Sequence, residues 1–427
     1  MKVHFIDFSY GKQKTLQNTS IVVLAGVVLT FLTIVFLYYP LLLDYPFSLI
    51  SSSSQSSSSI LPPPSSPSNV REESRRVDVK KNCNIFAGEW IPNPEAPYYT
   101  NDTCEWAIYD HQNCMKYGRP DSDFMKWRWK PNDCELPIFD PSKFLDLVKG
   151  KSLAFVGDSV ARNQMQSLLC LLSKVEYPVD VSKSPDEQSR TWQYTNHNFT
   201  VANFWSPYLV KVSEADPMFP SLFSLYLDEF DDSWTSKIHE FDHVIISAGH
   251  WFFRPAKYFE DNQLVGCHYC TDKNVTELGM YYSYGKAFRT AFRAINSLKN
   301  SKGITFLRTF APSHFENGEW NKGGDCVRRK PFKSNETRLS GTDLELYMAQ
   351  VREFKVAESE GLKRGLKFRL LDTTNIMLLR PDGHPSQYGH LPEANTTTWH
   401  RDCVHWCLPG PIDTWNDFLL EMLNIEL

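Results

Sequence analysis

The chain has 427 residues, 42% of them hydrophobic and 22% charged, with a formal net charge of −5. That length admits one large folded domain with extensions. The mild acidity, with no basic stripe, excludes nucleic acid as the main partner, because phosphate binding needs clustered Lys and Arg.

Residues 1–20 read as a cytosolic tail and 21–43 as a transmembrane signal anchor. No charge occurs from 15 to 43, and the densest apolar part, Ile21 to Tyr39, matches the roughly 20 residues a helix needs to cross a bilayer. Lys2, Lys12 and Lys14 precede it, offset by Asp7, and no cation follows until Arg71. The positive-inside rule therefore puts the remainder of the chain outside the cytosol. A cleaved signal peptide is the rival reading. It would have a shorter apolar core and a small-residue cleavage site, whereas Tyr38, Tyr39 and Pro40 follow here. Residues 44–81 contain the run SSSSQSSSSILPPPSSPSN and read as a disordered stem, since such a composition buries too little apolar surface to offset chain entropy.

All ten cysteines lie beyond the anchor, as do five Asn-x-Ser/Thr sequons at Asn101, Asn198, Asn274, Asn335 and Asn395. Together they describe a single-pass protein facing an oxidising lumen, with disulfides and glycan sites. Cys267-His-Tyr-Cys270 and Cys403-Val-His-Trp-Cys407 have ligand-like spacing, but in such a compartment disulfides are favoured over structural zinc, and no metal site is assigned.

Residues 82–150, rich in Cys, Trp and Pro, read as an irregular N-terminal subdomain stapled by disulfides, and 151–427 as the catalytic domain. The continuous apolar runs Leu153–Val156, His243–Ala248, Ile304–Phe310 and Phe368–Leu371 fit strands covered on both faces. Helical patterns lie between them: Met165, Leu168, Leu169 and Leu172 share a face, as do Tyr284, Phe288, Ala291, Phe292 and Ile295, and 342–360 is also helix-like. Alternating strands and helices predict an α/β sandwich with a mainly parallel sheet.

In such sheets ligands bind at the carboxyl ends of the strands. Gly157-Asp158-Ser159 falls there, placing a hydroxyl at a helix start beside unpaired backbone N–H donors suited to an oxyanion. A serine needs a base, usually a histidine oriented by a carboxylate. Of His250, His384, His390, His400 and His405, the last is favoured, because Asp402-x-x-His405 puts both side chains on one side of a tight turn that Cys403 and Cys407 would pin. Asp382-Gly-His384 ranks second and reads better as a substrate-side loop. Trp251 and Trp406 are candidates for stacking on a sugar ring, and Arg162 for hydrogen bonding to a reacting oxygen or to the acceptor.

Gly157-Asp158-Ser159 with Arg162, Asn163 and Gln164, Gly249-His250-Trp251 and Asp402-Cys-Val-His405-Trp-Cys-Leu-Pro-Gly resemble the plant trichome birefringence-like polysaccharide O-acetyltransferases. Cys83 with Gly88-Glu-Trp90, Gly118-Arg-Pro-Asp121, Trp127-Arg-Trp129 and Cys134-Glu-Leu-Pro137 extend the likeness over about residues 82–420. The resemblance implies an SGNH-hydrolase-like three-layer sandwich in a type II Golgi membrane protein that moves acetyl groups onto wall hemicellulose. It implies Ser159 as nucleophile, His405 as base and Asp402 as its orienter. Ser159 and Gly249 would supply oxyanion N–H groups, Arg162 and Asn163 support, and His250, Trp251 and Trp406 the substrate side.

It further implies the pairs Cys83–Cys134, Cys104–Cys170, Cys114–Cys407 and Cys326–Cys403, leaving Cys267 with Cys270. No cofactor is expected to stay bound. An acetyl donor is required, acetyl-CoA being one candidate, and membrane proteins that supply the donor are possible partners. The likeness, with Gly-Cys-His-Tyr-Cys at 266–270, leans towards xyloglucan as the acceptor; xylan and mannan stay open. An esterase using water in place of the sugar, and a non-catalytic polysaccharide binder, are the other classes.

Overall fold

A seven-stranded sheet organises the chain in a computed structural model, which describes residues 83–183, 188–213, 222–298, 303–390 and 401–426. The predicted anchor and stem, Asn395 and His400 lie outside the described residues. Among the described residues no helix is long and apolar enough to cross a membrane.

The strands in chain order are β1 (Gly88–Pro92), β2 (Trp127–Pro131), β3 (Ser152–Gly157), β4 (Val179–Asp180), β5 (Thr191–Tyr194), β6 (Phe199–Trp205), β7 (Val210–Ser213), β8 (Phe223–Phe230), β9 (His243–Ser247), β10 (Ala256–Glu260), β11 (Gln263–His268), β12 (Ile304–Arg308) and β13 (Lys367–Leu371). The α-helices are α1 (Pro141–Leu147), α2 (Ser159–Leu172), α3 (Asp232–Thr235), α4 (Gly279–Ser297), α5 (Gly341–Leu362), α6 (Thr374–Leu378) and α7 (Thr414–Glu426).

The main sheet runs β13-β12-β9-β3-β6-β5-β4. Its first five strands are parallel, and β5 and β4 join antiparallel at one edge. The four predicted apolar runs are four of the parallel strands. They are apolar throughout because both faces are covered: Leu153 and Phe155 of β3 enter one hydrophobic cluster with α2 and α7, while Ala154 and Val156 enter another with α4 and α5. This is the three-layer α/β sandwich.

A second sheet, β11-β10-β8-β7, adds to the predicted sandwich; Leu225 and Leu227 of β8 attach it to the cluster around α4. The N-terminal segment is also less irregular than its composition suggests. β1 and β2 pair antiparallel, and Trp90, Trp129, Phe139 and Phe144 join the same cluster as α2 and α7. That packing explains why α2 buries every residue from Val160 to Leu172, polar ones included. Five disulfides pair the cysteines as the resemblance implies: Cys83–Cys134, Cys104–Cys170, Cys114–Cys407, Cys267–Cys270 and Cys326–Cys403.

Candidate active site

β3 and β9 approach so closely at their carboxyl ends that a side chain at residue 157 would meet the Ser247 carbonyl oxygen at 1.6 Å, and Gly157 takes φ 155°. Only glycine fits there. Asp158 then caps α2: its Oδ1 accepts the Val160 N–H at 3.0 Å and its Oδ2 the Gly249 N–H at 2.8 Å. One buried carboxylate thus fixes the helix start to the loop after β9, and leaves half-buried Ser159 as the first helical residue.

The partner histidine comes from a loop before α7. Asp402 Oδ1 accepts the N–H groups of Val404 and His405 at 3.0 and 2.9 Å, and this tight turn folds the imidazole back so that its Nδ1–H donates to Asp402 Oδ2 at 2.7 Å. His405 Nε2 lies 2.7 Å from Ser159 Oγ. Three side chains 246 residues apart at the extremes are therefore in hydrogen-bonding series. Main-chain pairing with Ser386, the Cys326–Cys403 and Cys114–Cys407 bridges, and a bond from His384 Nδ1–H to the His405 carbonyl at 2.7 Å hold the loop.

Electrostatics suit proton transfer. Burial alone would depress His405, but the Asp402 carboxylate, by charge and hydrogen bond, raises it above the ordinary histidine value. Burial alone would raise Asp402, yet His405 holds it well below the usual carboxylate range. The carboxylate stays ionised, and its acceptor oxygen fixes the proton on Nδ1, leaving Nε2 to accept from the serine.

The site opens into a cavity of about 430 Å³ whose walls include His250, Trp251, Arg254 and the exposed Trp320. His250 donates from Nε2 to the Ala311 carbonyl at 2.9 Å, and burial depresses it to about 4, so it is neutral. Trp251 lies under the Arg254 guanidinium at 3.8 Å.

Other expectations need correction. The Gly249 N–H already donates to Asp158, so it does not face an oxyanion at Ser159. Trp406 is fully buried, stacked on His384 at 4.2 Å, and cannot touch a substrate. The second-ranked triad donor fails as well: Asp382 is ion-paired with Arg380, both without exposure, and His384 serves the loop. Arg162 lines a neighbouring cavity, its guanidinium over the rings of Tyr109 and Trp205. Asn163 does serve as support, by bonding the backbone of Trp406 rather than an oxyanion. The cysteine pairs with zinc-like spacing are all in disulfides.

One residue at the site has no local sequence signal. His111, from the N-terminal segment, lies edge-on to His405 at 4.8 Å; burial, with a further push from His405, depresses it to about 4. Its only pointer is the bridge from nearby Cys114 to Cys407.

A serine at the switch from a parallel strand to a helix, served by a histidine and an aspartate from a C-terminal loop, defines an SGNH-type enzyme of acyl esters. Residues 136–422 match PC-Esterase, the GDSL/SGNH-like acyl-esterase family found in Pmr5 and Cas1p, and residues 81–135 match the PMR5 N-terminal domain. Protein trichome birefringence-like 19 of Arabidopsis thaliana is 56% identical over 400 residues, covering 92% of this chain and 91% of that protein. Xyloglucan O-acetyltransferase 4 of Populus trichocarpa is 46% identical over 345 residues, covering 80% and 81%, and xyloglucan O-acetyltransferase 1 of the same plant is 43% identical over 368, covering 84% and 85%. The chain belongs to the trichome birefringence-like family and is an O-acetyltransferase.

Proposed function

We propose that the chain moves an acetyl group, through an acetyl ester on Ser159, onto hydroxyls of a plant cell-wall hemicellulose, with the side-chain galactose of xyloglucan as the acceptor. The observation that carries the reaction is the 2.7 Å approach of His405 Nε2 to Ser159 Oγ, with Asp402 behind it. The names of two relatives support xyloglucan as the acceptor.

In the first half-reaction Ser159 Oγ bonds to the acetyl carbonyl carbon while His405 takes the serine proton. The tetrahedral oxyanion forms at the start of α2, where the Ser159 N–H and the helix dipole favour negative charge. Its collapse breaks the bond to the donor's leaving group, which takes the proton from His405. In the second, a sugar hydroxyl gives its proton to His405, attacks the acetyl carbon, and expels Ser159 Oγ, which recovers the proton. The donor is an activated acetyl ester or thioester, acetyl-CoA being one candidate, delivered with the help of membrane proteins.

The proposed setting is the Golgi membrane, with a type II anchor at 21–43 and the catalytic part in the lumen. The uncharged run at 15–43, the disulfides, and the exposure of Asn198, Asn274 and Asn335 in their sequons support it.

The test is incubation of the full chain, in detergent, with acetyl-CoA or a small acetyl ester and with de-acetylated xyloglucan, xylan or mannan. Acetyl-serine seen by mass spectrometry at residue 159, followed by polymer acetylation, is the expected result, and Ser159→Ala abolishes both with an unchanged melting temperature. Release of acetate from an acetylated polymer without net transfer would make the chain an esterase.

A further inference from the structure

A second cavity, of about 190 Å³, opens beside the first, and the chemistry at Ser159 makes no use of it. Arg162 and Gln166 of α2 line it, with Trp106 from the N-terminal segment and Trp192 from β5. The two indoles meet edge to face at 5.3 Å, and Trp106 is 37% exposed. Asp180 and Arg190, ion-paired at 2.9 Å and partly exposed, also border it. Gln166 and Asn203, which line it too, are each only 2% exposed, and their side-chain NH2 groups donate to the carbonyls of Ala107 and Gln188. Yet among the described residues nothing donates to Gln166 Oε1 or Asn203 Oδ1. A buried amide oxygen without a donor is costly, and that cost is relieved when a ligand hydroxyl or a bridging water reaches it.

Indole faces for C–H surfaces, beside planar amides and a guanidinium for hydroxyls, are the groups that recognise a neutral pyranose. The walls of the two cavities are in contact. The Arg162 guanidinium stands 4.8 Å from the Tyr109 ring and 5.2 Å from the Trp205 ring. Tyr109 leads through His111 to His405, at 6.1 and 4.8 Å, and Trp205 meets Trp251 of the first cavity at 5.4 Å. Along α2, Gln166 comes seven residues after Ser159, about 10 Å at 1.5 Å per residue. A polymer whose reacting sugar sits at Ser159 would carry its neighbouring units across this distance.

We propose that the Trp106–Trp192 cavity is a second sugar subsite, which holds a non-reacting pyranose of the polymer acceptor and so sets the preference for polymer over short fragments. This rests on the acceptor's being a polysaccharide, as proposed above. Binding energy gathered at the remote unit orients the reacting hydroxyl.

Two measurements test it. In the first, the full-length Ser159→Ala chain is titrated with xyloglucan oligosaccharides of increasing length, with and without Trp192→Ala. Affinity should rise with length only where Trp192 is present, and the loss on removing it should be about tenfold. Trp192→Phe, which keeps an aromatic face, should restore most of it and guards against a folding defect. In the second, Trp192→Ala in the active chain should raise KM for polymer about tenfold, leaving KM for a single-repeat fragment and acetylation of Ser159 by a small ester unchanged. Equal losses on long and short acceptors, no loss on either, no glycan binding at all, or competition by CoA for this cavity would each overturn the subsite. Length-dependent binding that needs Trp192, in a chain that transfers no acetyl group, would uphold the subsite and overturn the reaction instead.

Discussion

Asn163 and Trp406, 243 residues apart, hold each other by two hydrogen bonds: the Trp406 N–H donates to Asn163 Oδ1 at 2.8 Å, and Asn163 Nδ2 donates to the Trp406 carbonyl at 3.3 Å. One lies on the helix that begins with Ser159, the other follows His405 directly. The pair therefore fixes the spacing between nucleophile and base, and assigns Asn163 to positioning. Asn163→Ala should lower kcat roughly tenfold to a hundredfold with KM for acceptor nearly unchanged, because a displaced imidazole loses alignment with the serine. Steady-state kinetics read the split. A change confined to KM would place Asn163 on the substrate side.

The pH profile follows from the His405–Asp402 pair. Only neutral His405 takes the serine proton, and its pKa is raised above 6.5 by Asp402 against the effect of burial. Activity should therefore climb as pH rises through a pKa above 6.5 and fade below it. Asp402→Asn should move that limb to lower pH and cut kcat by about 10³–10⁴, since the proton is no longer fixed on Nδ1. His111 is already depressed to about 4 by burial, so His111→Gln should leave the limb close to its original place. A limb that ignores Asp402→Asn would assign the titration to another group.

The Cys326–Cys403 bridge closes a separation of 77 residues and is anchored one residue after Asp402. By chain entropy such a loop is worth up to about 4 kcal/mol. The double variant Cys326→Ala with Cys403→Ala should lower the denaturation midpoint accordingly and reduce kcat. Removing the short Cys267–Cys270 link, separated by three residues and absent from the walls of the triad cavity, should spare kcat. Equal losses from both would argue against a local role for the bridge at Asp402.

The parts of this fold legible in the sequence are those whose physics is local or doubled. β3, β9, β12 and β13 announce themselves because a strand covered on both faces must be apolar at every position. β4 and β5 are short and partly exposed, and β10, with Lys257 between Ala256 and Tyr258, carries a weaker signal; they take their conformation from neighbours. At the site, the Asp402 turn is readable because it closes within three residues, and Ser159 because the change from strand to helix marks it. The use of the Gly249 N–H is not readable, since its partner Asp158 is 91 residues away. Trp406 misleads for a related reason: beside the catalytic histidine in sequence, it faces inward against His384 because the turn sends successive side chains to opposite sides.

Two carboxyls, Asp413 and Asp417, sit near the start of α7 under the N-terminal segment. Burial raises Asp413 to about 6 and, helped by the charge of Asp413, raises Asp417 to about 7. Asp413 accepts from Tyr99, Ser167 and Gly410, whereas Asp417 accepts only the Phe139 N–H among the described residues. For a group raised in the folded state, the stability it contributes is whole below its unfolded value, 3.8, and is lost as pH rises to about 7. The share of stability that these two carboxyls contribute should thus fall between about pH 4 and pH 7. Asp417→Asn keeps an acceptor for Phe139 and cannot ionise, so it should flatten that slope. Both carboxyls retain some contact with solvent, which screens their charge, so the expected gain at pH 8 is about 1 kcal/mol. Urea midpoints for the two chains from pH 4 to pH 8 read the difference directly: the curves should meet at the acid end and separate with the variant above. Parallel curves would mean that Asp417 titrates alike in the folded and unfolded chains.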